Sequence, residues 1–168
     1  MKHIVLLIVT VILMNCQADK VYTPKPRMYP RVNFPDRDFD NFDFEACSFK
    51  FQKPKYATVK TGIKFFDEDA KHPCWFDLEI QQLNTSIHFS YTPIGKDDSL
   101  DKLISDAFKI VGEHNAKAEY TEEALIENKY GVQGLMFNLD GPVASPINFF
   151  LTDTTQHFVR ASLYFNST

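Results

Sequence analysis

The chain opens on an apolar run from Ile4 to Met14, interrupted only by Thr10, preceded by Lys2 and His3 and closed by Asn15 and Cys16. A run this short cannot cross a bilayer core, which takes about 20 residues, so it reads as the apolar region of an export signal. Through residues 22–45 the chain keeps no clear helical period. A two-residue period returns over residues 48–51 and 57–60 and becomes strong at 75–80, where Phe76, Leu78 and Ile80 alternate with Trp75, Asp77 and Glu79. Residues 87–91 alternate again, so the two stretches, joined through Leu83, Asn84, Thr85 and Ser86, predict an antiparallel hairpin with one dry face. The charged segment around Asp67, Glu68 and Asp69 reads as a surface loop.

The period then changes. Leu100, Leu103, Ile104, Ala107, Phe108 and Val111 fall three and four apart, which predicts one amphipathic helix over about residues 99–114, with Asp98 or Ser99 able to cap it. Strand patterns follow over residues 118–127, 134–139, 146–151 and 158–165, with turn chemistry at Asp140-Gly141 and across residues 152–155. The order predicts an α+β fold: an antiparallel β-sheet with one amphipathic helix packed on it. One helix covers part of one side of a wide sheet, so the remaining apolar face needs a further cover.

The apolar run at the start ends directly on Cys16, which predicts that this thiol becomes the acylated first residue of the mature protein. Buried acyl carbons contribute about 0.8 kcal/mol each, so a lipid there would hold the chain to a membrane. Asn15 is larger than the small residue usual before a lipidated cysteine, and the alternative is an ordinary signal cleaved nearby. Next, Pro24, Pro26, Pro30 and Pro35 are set among Tyr22, Tyr29, Phe34, Arg27 and Arg31, a composition that favours an extended, polyproline-like arm. Its aromatics favour a strap lying on the body over a plain tether. Asp36, Asp38, Asp40, Asp43 and Glu45 follow, interleaved with Phe39, Phe42 and Phe44, and read as a solvated face whose Phe side chains tuck inward. The expected organisation is a signal over residues 1–15, a lipidated arm over 16–46 and a single domain over 47–168.

Charge and cysteines narrow this picture. The net charge of -4 disfavours nucleic acid as a partner. With Cys16 assigned to a lipid, Cys47 and Cys74 form an even pair in an oxidising compartment and are expected to be a disulfide. A reactive thiol, or half a metal site with His72, are weaker readings, because no second Cys/His pair follows. Ser145, Asp153 and His157 occur in the order of a hydrolase triad, yet no nucleophile-elbow glycines flank Ser145, and Asp153 is better placed to accept backbone N–H bonds in its turn. No phosphate loop, metal spacing or dinucleotide fingerprint is present, so no cofactor, metal or catalytic activity is expected.

The run from Ala144 through Pro146, Asn148, Phe149, Phe150 and Leu151 to Asp153, followed by His157-Phe158, Arg160 and Leu163-Tyr164-Phe165, resembles the gliding-motility lipoprotein D family. Pro24-Lys25-Pro26-Arg27, Tyr29 and Phe34-Pro35 look like that family's opening motif. Cys47 and Pro73-Cys74-Trp75 fall where the family has two envelope cysteines, and His88-Phe89-Ser90-Tyr91 is similar to its hairpin strand. The resemblance implies a lipid-anchored, non-catalytic component of the cell envelope, in the outer membrane and facing the periplasm. It implies a role in gliding and protein partners in the gliding or type IX secretion machinery. It also implies a further helical segment after the last strand, which this chain lacks. Arg27, Tyr29, Arg31, Trp75, Asp153 and His157 are the expected contact residues. The alternative is an envelope ligand-binding lipoprotein that uses Trp75 and neighbouring aromatics as a stacking surface.

Overall fold

The computed structural model describes residues 32–62, 64–65 and 68–166, and one compact unit comprises Phe34–Thr168. Its centre is the hairpin that the alternation predicts. Strand β6 (Phe76–Ile80) buries Phe76, Leu78 and Ile80, and β7 (Thr85–Pro93) runs antiparallel to it with Leu78 opposite Ile87. A single 3-10 turn, Gln81–Leu83, reverses the chain, and Asn84 takes the left-handed conformation after it, at φ 47°. That position suits Asn, whose short polar side chain tolerates αL. Asn84 also clips the far end of the sheet: its side-chain amide donates to the Asn166 carbonyl, and the Asn166 N–H donates to the Asn84 carbonyl.

Helix α1 (Leu100–Asn115) starts at Ser99, whose Oγ accepts from the Lys102 N–H at 3.4 Å. Asp98 instead accepts from the Lys102 ammonium at 2.9 Å. Four strands follow in a meander: β8 (Tyr120–Glu127), β9 (Gln133–Asp140), β10 (Ile147–Thr152) and β11 (His157–Phe165). The meander delivers β11 alongside β7, in a register that sets Arg160 opposite Ser90. With β3 (Thr58–Thr61) beyond β6, the result is a seven-stranded sheet in the order β3-β6-β7-β11-β10-β9-β8. The strand pattern over residues 118–127 becomes the single strand β8. Two glycines are fixed by geometry. A Cβ on Gly134 would collide with the Phe150 carbonyl oxygen across the β9–β10 ladder, and Gly141 turns the chain between those strands at φ 121°.

Each face of the sheet has its own cover. On one side α1 packs Leu103, Ala107 and Val111 onto Phe137, Leu139, Phe150 and Phe158, over β9, β10 and β11. Phe108 falls at the rim of this stripe, 43% exposed, with its ring edge-on to Phe137. On the other side a separate hairpin, β1 (Phe39–Phe42) paired with β2 (Phe51–Pro54), lays Phe42 and Phe51 against Phe76, Leu78, Tyr91 and Val159. The rings stack in sequence, Phe42 on Phe76 and Phe76 on Phe89, each with centroids 4.7 Å apart. Such pairs contribute about 0.5–1.5 kcal/mol each beyond the area they bury. A disulfide from Cys47 to Cys74, Cα atoms 4.9 Å apart, ties this hairpin to the segment entering β6.

Two expectations change here. The acidic stretch before Cys47 does turn a Phe inward, with Phe42 3% exposed, but it does so as strand β1 rather than as irregular chain. The folded unit therefore reaches back to Phe34, and this hairpin is the second cover that the sheet requires. The segment around residues 67–69 is also not all loop: β4 (Lys64–Phe65) and β5 (Glu68–Asp69) form a short antiparallel pair. Residues 1–31, which hold the expected signal and most of the arm, lie outside the described residues.

Candidate functional site

Beside α1 the sheet face turns polar. Strand β11 alternates Phe158, Arg160, Ser162 and Tyr164 toward the helix side, and opposite them across the ladder are Thr92, Ser90, His88 and Ser86 of β7. Arg160 also sits opposite Phe150, a member of the helix-side core, which fixes the face it occupies. Two adjoining hollows of about 390 and 470 Å³ lie over this strip. They share Lys71, Trp75, Ser90 and Arg160 as walls and floor. Asp98 and Asp106 border the first, and His88, Ser162 and Tyr164 the second. Together they make a groove between α1 and the segment that leads into β6.

Local bonds hold the groove's parts in place. The Trp75 indole N–H donates to the Tyr91 carbonyl at 2.8 Å, which fixes the ring at the groove wall. His72 Nδ1 accepts from the Cys74 N–H at 3.1 Å, and its ring meets Tyr91 edge-on. His88 Nδ1 lies 2.5 Å from Asp77 Oδ1, and its ring is edge-on to Tyr164 with centroids 5.1 Å apart. Arg160 is the exception. Burial pushes its guanidinium below the usual range, while Tyr164 and Asp106 partly oppose that shift. No hydrogen bond or salt bridge ties its side chain to any of the described residues.

The expected contact residues are scattered by comparison. Asp153 and His157 frame the turn between β10 and β11, at the mouth of a different, apolar hollow on the far face. Asp153 Oδ1 accepts from the backbone N–H groups of Thr155, Gln156 and His157 at 3.1, 2.9 and 2.8 Å. Partial burial raises the acid, but these three bonds outweigh it and hold the carboxyl well below the usual carboxylate range. His157 Nδ1 pairs with the Tyr91 hydroxyl at 2.7 Å. Both groups organise their own turn. Ser145 precedes β10 and Asp153 follows it, so a six-residue strand of about 20 Å separates them and no triad assembles. Ser145 Oγ, fully buried, donates to Asn148 Oδ1 at 3.1 Å. The aromatic neighbours expected to form a platform with Trp75 pack into the core under the β1–β2 hairpin, and Trp75 itself packs against that core from its edge. Cys16, Arg27, Tyr29 and Arg31 lie outside the described residues.

Arg160, Tyr164 and Asp106 escaped the sequence reading. The signal for Arg160 was its place in the middle of an otherwise apolar strand. Among the described residues no three His, Cys, Asp or Glu side chains gather as a metal site, and no helix is long and apolar enough to cross a membrane.

Residues 19–168 match the family model for gliding motility lipoprotein GldD. The chain belongs to that family. The matched span contains every strand of the described sheet, the helix, both cysteines of the disulfide and the groove. No curated protein and no solved structure matches the chain.

Proposed function

We propose that this GldD-family chain is a lipid-anchored, non-catalytic component of the bacterial cell envelope that supports gliding by contacting protein parts of the gliding or type IX secretion apparatus. The observation that carries this reading is the family match across residues 19–168. Two further features support it. Ser145, Asp153 and His157 are each engaged in local bonds that build turns. The disulfide suits an oxidising envelope compartment. In this reading Cys16 carries the lipid, residues 16–46 include the stretch that bridges membrane and body, and the outer membrane's periplasmic face is the working location. Arg27, Tyr29 and Arg31 are the arm's contact residues.

The test is a strain lacking the gene, scored both for single-cell movement and for secreted and surface proteins. Loss of movement with secretion intact assigns the protein to the motility apparatus, and loss of both assigns it to the secretion machine. Cells that move and secrete normally would refute the reading. Complementation with Cys16→Ser should leave the protein out of the membrane fraction and fail to restore movement.

A further inference from the structure

A charged side chain in the middle of a sheet face is costly unless something pairs with it. Arg160 is half-buried between Phe150 and Ser90, and Asp106 and Tyr164 act on it only at a distance. Its planar fork of donors suits a carboxylate in a two-pronged contact. The hollows above it are large enough for one or two sugar rings and too small for a folded partner. Trp75 lines both hollows and is held in place through its indole N–H and by packing against the hairpin-side core.

Charge balance narrows the class of ligand. Lys71 and Arg160 face Asp106 and the Lys102-paired Asp98 across the first hollow, and Asp69 borders the second, so the local charges nearly cancel. A dianionic phosphate would meet two carboxylates and gain little. A monoanion that also carries hydroxyls fits better, because Asp98 and Asp106 accept hydrogen bonds from hydroxyls, and Ser90 and Ser162 can donate or accept. We propose that this groove binds an acidic sugar, a hexuronate unit, with its carboxylate on Arg160, beside Trp75, and its hydroxyls toward Asp106 and Ser162. This site is independent of the motility reading, since it concerns the purified protein and its own ligand.

Trp75 is the chain's single tryptophan, so its fluorescence reports on the groove directly. Purified protein would be titrated with D-glucuronate and D-galacturonate, and in parallel with D-glucose, acetate and inorganic phosphate. The expected result is a saturable change with at least one uronate, at least tenfold tighter than with glucose, acetate or phosphate. Arg160→Gln should weaken uronate binding at least tenfold with an unchanged melting temperature. Should that variant fail to fold, Lys71→Glu, on an exposed residue, should weaken binding in the same direction. Absence of a saturable response to both uronates, an equal response to acetate or phosphate, or wild-type affinity in the folded variant would each overturn the proposal. None of these outcomes bears on whether a deletion strain glides.

Discussion

Asp153 shows how one side chain can hold a turn that its backbone alone would disfavour. Thr154 beside it has φ 64°, an uncommon conformation for a β-branched residue. The three N–H groups bound to Asp153 Oδ1 and the Thr154 N–H on Thr152 Oγ1 together define the turn. Replacing Asp153 with Ala should destabilise the fold by about 1–2 kcal/mol, because the N–H groups lose a charged acceptor. The acid's folded pKa lies below its unfolded value of about 3.9, so its contribution is complete above that value and is lost as pH falls toward the folded one. Urea midpoints at pH 7 and pH 3 should therefore drop less for Asp153→Asn than for the wild type. An equal drop would mean that the turn is held by its backbone alone.

At the scale of elements, the least self-sufficient piece is the β1–β2 hairpin. A two-stranded hairpin is marginal alone in water, and this one depends on the ring stack against β6 and β7 and on the Cys47–Cys74 link. The disulfide spans 27 positions, which in the chain-entropy model is worth about 3–4 kcal/mol. Replacing both cysteines with Ala should lower stability by up to that amount, and in wild type prepared without reductant neither Cys47 nor Cys74 should react with a thiol reagent. Full reactivity of both in the native protein would dissolve the link. Elements with a local signal were legible from the chain: the period-two stretches became β6, β7, β9, β10 and β11, and the three-four spacing became α1. A strand was expected over residues 48–51 and β2 lies just after it, at Phe51–Pro54, but β1 and its pairing were hidden for a physical reason. Its Phe residues are interleaved with Asp, a pattern shared by solvated chain, and the partner that buries Phe42 lies some thirty residues away in β6. The groove was hidden for a similar reason, since Trp75, Arg160 and Asp106 come from three separate elements that only the completed sheet brings together.

Among the described residues one large sheet carries two separate cores, one on each face. Leu103 belongs to the helix side and Phe42 to the hairpin side, in clusters with no shared member. Large-to-small changes at such sites cost about 2–5 kcal/mol each. For distant sites without common partners the costs add to within about 0.5 kcal/mol. The free-energy loss of Leu103→Ala with Phe42→Ala should thus equal the sum of the two single losses, read from denaturant curves. A clear shortfall or excess would mean that the sheet transmits strain between its faces.

The outermost strand carries a last consequence. Strand β8 spans Tyr120–Glu127 and ends the sheet, and Leu125 stands 89% exposed on it. With the lipid proposed at Cys16, copies of the chain would crowd in two dimensions, where an open row of backbone donors and acceptors invites fibre growth from neighbour to neighbour. Glu122, Glu123 and Glu127 line that same border, and when two such borders approach, their like charges repel. These like charges should therefore oppose stacking at high surface density, and their effect should weaken with acid or salt.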